Sequence, residues 1–114
     1  QKPARICMQE GQLVPGTVDK IKTNLKLPHI GWNTLHFKTP TPLFAGVDEG
    51  AYVYFVHTYC AMVELERDVY AVTDYGGPVS AAVGRGNVYG TQFHPEKSGD
   101  VGLEILKNFV RLQG

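Results

Sequence analysis

The stretch from Ala51 to Ala61, "AYVYFVHTYCA", sets the tightest limit on the fold of this chain. It is almost continuously apolar and rich in aromatic and β-branched residues, so it reads as a central strand covered on both faces. The rest of the sequence must then supply two covering layers. A Pro15-Gly16 turn leads into a strand over Thr17–Thr23, and a loop follows through Pro28, Gly31 and Trp32. "TLHFK" is a short strand, "KTPTPLFAGVDEG" a loop, and "DVYAVTDYGG" a further strand closed by Gly-Gly. "VSAAVGRGNVYGTQF" reads as two strands joined across Arg85-Gly86-Asn87.

Only the last segment, "SGDVGLEILKNFVRLQG", changes period. There Leu103, Leu106, Phe109 and Val110 line one face of a helix, with Glu104, Lys107, Asn108 and Arg111 on the other. Ser98 or Asp100 caps its start and Gly114 follows its end. One helix cannot cover both faces of so many strands. Either the sheet folds over on itself or a covering layer is missing.

Charge narrows the range of functions. The 114 residues carry 11 Lys+Arg and 11 Asp+Glu with no dense basic run, so nucleic acid and membrane surfaces are not expected partners. No apolar run is long enough for a bilayer span, and the first residues lack the apolar core of a signal peptide. Two cysteines, Cys7 and Cys60, make neither a disulfide framework nor a zinc motif. As free thiols they fit a reducing compartment, and a cytoplasmic location is expected. The glycines of "GRG" and "YGG" have no Lys-Ser/Thr partner, so no phosphate loop is read.

Chemistry concentrates in "YGTQFHPEKS", where His94 and Glu96 flank Pro95 between a strand and the helix. An imidazole oriented by a carboxylate can relay the proton of a nucleophile to a leaving group. A loop histidine beside a surface carboxylate is the plainer reading of the same residues. For the nucleophile, Cys60 follows the most apolar strand and suits core volume. Cys7, in "RICMQEG", reads as a strand end or its following turn, the place for a nucleophile elbow, but no helix follows it and a buried thiol is the plainer reading. Trp32, His29, His57 and Tyr59 form either an aromatic recognition surface or part of the core.

"LPHIGWN", "YFVHTY" and "GTQFHPEKS", in that order before an amphipathic terminal helix, resemble the carboxyl-terminal half of a class I, triad-type glutamine amidotransferase. "QFHPE" alone indicates the wider class. "PHIGWN" with "FVHTY" narrows the resemblance to the glutaminase subunit or domain of imidazole glycerol phosphate synthase, from about Leu13 onward. The resemblance implies an α/β fold of the flavodoxin-like open-sheet kind, here an incomplete, β-rich carboxyl-terminal part ending in a helix. It implies a Cys-His-Glu triad that hydrolyses glutamine, with the ammonia channelled to a cyclase partner in histidine biosynthesis. It implies no cofactor and no metal. By motif, Cys7 is the nucleophile, His94 the general base and acid, and Glu96 its orienter. His29, Tyr59 and Lys97 fall near the partner face and the ammonia route.

The departures from the family pattern lie at the start of the chain. The family elbow reads G-(I/V)-C-L-G-M-Q, whereas this chain has Arg5-Ile6-Cys7-Met8-Gln9. Arg5 stands where the glycine that relieves crowding belongs, and the Leu-Gly pair is absent. Residues 1–114 are therefore expected to be a partial amidotransferase domain, with 1–12 a remnant of the elbow region and the amino-terminal half absent. The alternative expectation is a catalytically inactive fragment or degenerate domain that keeps only the cyclase-docking surface.

Overall fold

In the computed structural model, the described residues are 2–3, 16–86 and 88–113. Among them, nine strands and one long helix form a mixed α/β fold with open sheets. The strands are β1 (Lys2–Pro3), β2 (Gly16–Lys20), β3 (His29–Thr34), β4 (His36–Phe37), β5 (Tyr52–His57), β6 (Tyr59–Val63), β7 (Val69–Asp74), β8 (Pro78–Arg85) and β9 (Val88–Thr91). The helix α1 spans Gly99–Gln113. They make three sheets, ordered β1-β2-β6, β3-β5 and β4-β7-β8-β9. Every ladder among the described residues is antiparallel. None of the described helices is long and apolar enough to cross a membrane.

The single strand expected over Ala51–Ala61 is in fact two. A bend at Thr58 separates β5 from β6, and each half pairs in a different sheet. β5 is also not covered on both faces. Val53, Phe55 and His57 are buried, whereas Tyr52 and Val56 point outward, the alternation of an antiparallel strand with one open face. Its partner β3 lies where a loop through Gly31 and Trp32 was expected. Ile30 opposes Val56 and Trp32 opposes Tyr54, so that face is continuous across the ribbon. Ile30 and Trp32 are 59% and 55% exposed. Among the described residues, nothing covers this face.

The main core lies between this ribbon, the sheet of β7–β9 and α1, around Leu35, Leu43, Phe55, Ala81, Phe93 and Ile105. The hairpin expected at 85–87 is present: Arg85 pairs with Val88, and Gly86 takes φ 62°, the left-handed region such a short loop needs. Asn87 lies outside the described residues. Arg85 also anchors the hairpin by an ion pair to the buried Asp68, 2.8 Å from Nη2 to Oδ2.

The helix presents a different face from the one its apolar periodicity suggests. Ile105 and Asn108 are buried, while Leu103 and Val110 are 51% and 67% exposed. Asn108 overrides the pattern because its Nδ2 donates to the carbonyls of Leu43 and Ala45, at 2.9 and 2.8 Å. Those carbonyls end a short turn at Pro42–Phe44 inside the expected loop, and the amide supplies the donors they lack.

Candidate active site

The chain reaches the site from β9. Gln92 N–H donates to Ala81 O at 2.8 Å, and buried Phe93 meets Phe55 edge-on, with centroids 6.0 Å apart. His94 follows with φ −100° and ψ 99°, an extended backbone that the next residue, Pro95, favours. Pro95–Lys97 form one 3-10 turn before α1 begins.

Three hydrogen bonds fix this turn against the edge of β5 away from β3. His94 N–H donates to Tyr54 O at 2.9 Å. The buried Ser98 hydroxyl accepts Tyr54 N–H at 3.0 Å and donates to His94 O at 2.6 Å. The turn therefore takes the place of a further strand and satisfies both backbone groups of Tyr54. Ser98 occupies the helix-cap position expected of it, because its carbonyl accepts Gly102 N–H at 3.2 Å, yet its side chain holds His94 instead of the helix end. Gly102 completes the fit. A Cβ there would stand 1.9 Å from Pro95 O.

On this support, His94 Nδ1 donates to Glu96 Oε2 at 3.1 Å, with the side chains 39% and 61% exposed. The Glu96 carboxyl is held below its ordinary pKa, first by its own backbone N–H and then by the hydrogen bond and charge of His94 and the charge of Lys97. A proton on Nδ1 leaves the lone pair of a neutral imidazole on Nε2. The pair can thus accept a proton at Nε2 while a carboxylate stabilises the imidazolium that forms.

The other predicted residues differ in exposure. Lys97 is exposed on the same turn, and Tyr59 is exposed at the start of β6. His29 is buried, stacked between Phe55 and Tyr75 at 4.8 and 4.0 Å. Cys7 lies outside the described residues. Cys60 is core material: it is buried beside Ile21 and Val79, and its Sγ lies 4.0 Å from Met62 Sδ. Burial foremost, and then Asp19, push its thiol pKa up. Among the described residues, no cluster of His, Cys, Asp and Glu suits a metal ion. Sequence reasoning did not find Tyr54 or Gly102 as supports of His94, since a backbone contact and a missing Cβ leave no chemical signature.

Comparison with known proteins agrees with the motif resemblance. The family model for glutamine amidotransferase class-I matches residues 6–112. The chain is 50% identical over 97 residues to the imidazole glycerol phosphate synthase subunit HisH of Bacillus thuringiensis (strain Al Hakam), Bacillus cereus (strain 03BB102) and Bacillus anthracis. Each alignment takes in 85% of this chain and 46% of the relative. The chain thus spans a little under half the length of the curated relatives it matches.

Proposed function

The chain belongs to the class I glutamine amidotransferases, and from that premise we propose that it carries the histidine–glutamate half of a glutaminase site together with a face that docks a cyclase. In the parent activity, glutamine yields glutamate and ammonia, and the ammonia serves imidazole glycerol phosphate synthesis. The observation that carries this reading is His94 held against the β5 edge with Glu96 on Nδ1 and Nε2 left as acceptor. His94 takes the proton of a cysteine thiol as the thiolate attacks the side-chain amide, then passes it to the departing ammonia. It next activates the water that releases glutamate. Glu96 stabilises the imidazolium in both steps.

Cys7 is the proposed nucleophile, and residues 1–12 correspond to its elbow within a longer amidotransferase domain. With Arg5 in the glycine position and no Leu-Gly after the cysteine, the sequence here departs from the family's elbow motif. For these 114 residues alone, the docking role is therefore the better supported one. The open face of Ile30, Trp32 and Val56 lies across the ribbon whose edge holds the His94 turn, and Lys97 is exposed on that turn.

The test pairs two measurements on the chain with a cyclase of imidazole glycerol phosphate synthase. Binding without glutamine-dependent ammonia release, and with Cys7 unmodified by a diazoketone glutamine analogue, supports the docking role. Glutamine-dependent ammonia release that stops once the analogue alkylates Cys7 establishes the full glutaminase. Neither binding nor release removes both readings.

A further inference from the structure

Beneath the ribbon, two buried histidines meet: His29 Nδ1 and His57 Nε2 are 2.9 Å apart. The direction of every bond around them follows from one end. His57 Nδ1 lies 3.2 Å from the carbonyl of Tyr59, which can only accept, so Nδ1 carries the proton. A neutral His57 then accepts at Nε2, which makes His29 Nδ1 the donor. His29 in turn accepts at Nε2, and the Asn33 amide nitrogen stands there at 3.3 Å. The orientation of Asn33 is independently set, since its Oδ1 accepts Thr34 N–H and its Nδ2 also donates to Asp74 O, each at 2.8 Å.

We propose that Asn33, His29, His57 and the Tyr59 carbonyl form a one-way hydrogen-bond latch that ties the β3–β5 ribbon to β6 only while both imidazoles are neutral. A proton added at His57 Nε2 reverses the central bond and turns His29 Nε2–H against the Asn33 amide hydrogens. A proton added at His29 Nε2 meets the same donors directly. Either way a buried donor loses its acceptor. The latch spans the bend at Thr58, where the chain passes from one sheet to the next. Acid therefore loosens the joint between the ribbon and the β1-β2-β6 sheet.

Among the described residues, the groups facing the latch do not offset such a charge. Phe55 and Tyr75 stack on His29, the carbonyl of Asp74 is taken by Asn33, and the carboxylate of Asp74 accepts Gly77 N–H at 2.9 Å. His57 faces Phe55 and the site histidine His94, and a positive charge on the one would oppose a positive charge on the other. Glu96 is turned to His94. Burial first, and then His57, lower the pKa of His29 to about 4, and burial also lowers that of His57. The unfolded chain takes up these protons from about pH 6.5 downward. The contribution of the latch to stability is whole above that pH and is lost as the pH falls towards 4.

Two measurements on the chain decide the matter without reference to glutamine hydrolysis. Nitrogen-15 NMR of the imidazoles at pH 7 is expected to show His29 and His57 both neutral with the proton on Nδ1. An Nε2–H tautomer at either ring, or a protonated ring, overturns the latch. Urea midpoints between pH 7 and 4 are expected to fall more steeply for the parent chain than for the double variant His29→Gln, His57→Gln. Parallel profiles also overturn it. If the double variant does not fold, the tautomers in the parent chain still decide between the two outcomes.

Discussion

Ser98 Oγ holds His94 by its carbonyl at 2.6 Å while accepting the backbone N–H of Tyr54 at 3.0 Å, so one hydroxyl ties the site turn to the sheet edge. Ser98→Ala removes both bonds and leaves a Tyr54 N–H without its partner. The expected cost is about 1–3 kcal/mol of stability, read from urea unfolding. Ser98→Thr keeps the hydroxyl and should recover part of it. Equal stability of parent and alanine variant would show that water replaces the clamp.

Asn108 bears on the helix. Asn108→Leu extends the apolar pattern that the sequence displays, yet it strips the donors from Leu43 O and Ala45 O. A loss of about 2–4 kcal/mol is expected from two unsatisfied carbonyls. Lys107→Leu, on the exposed side, should change stability by less than about 0.5 kcal/mol. A stabilised Asn108→Leu chain would restore the face predicted from periodicity.

These two sites show what the sequence carried and what it did not. The hairpin at Gly86, the helix near the carboxyl terminus and the His94–Glu96 pair were legible because each rests on neighbours in the chain. The split of the apolar run at Thr58 was not, since β5 and β6 find partners far away in sequence, and a continuous apolar string looks the same with or without a bend. Helix orientation failed for a related reason. Leu103, Leu106 and Val110 set the periodicity, but the carbonyls at Leu43 and Ala45 drew Asn108 inward. Two supports of His94, the Tyr54 backbone and Gly102, are likewise distant or chemically silent.

Cys60 should behave as a core thiol. Its buried position and raised pKa leave less thiolate at pH 8 than an ordinary cysteine has. Iodoacetamide is expected to modify it only as the chain unfolds, so its labelling rate should rise with urea. Mass spectrometry of the tryptic peptide follows this. Fast labelling in the absence of denaturant would place the sulfur at the surface.

In an amidotransferase domain that carries these residues and releases ammonia from glutamine, His94→Ala should remove the activity. Glu96→Gln should lower it on the order of 10²–10⁴-fold. An unchanged rate in Glu96→Gln would separate Glu96 from the proton transfer. A His94→Ala enzyme at full rate would end the assignment.

Gly102 gives the sharpest steric prediction. In a helix interior, Gly→Ala ordinarily stabilises by about 1 kcal/mol. Here the new Cβ would lie 1.9 Å from Pro95 O and 2.9 Å from Ser98 Cβ. Backbone cannot yield as a flexible side chain would, so the helix must lift or the turn must shift. Overpacking of this kind costs about 1–3 kcal/mol, which outweighs the gain in propensity. Gly102→Ala is therefore expected to lower the melting temperature and to displace the His94 imidazole resonances in NMR. Movement of those resonances distinguishes a shifted turn from a lifted helix. A variant as stable as its parent, with His94 undisturbed, would mean that the helix does not seat against the turn as closely as these distances require.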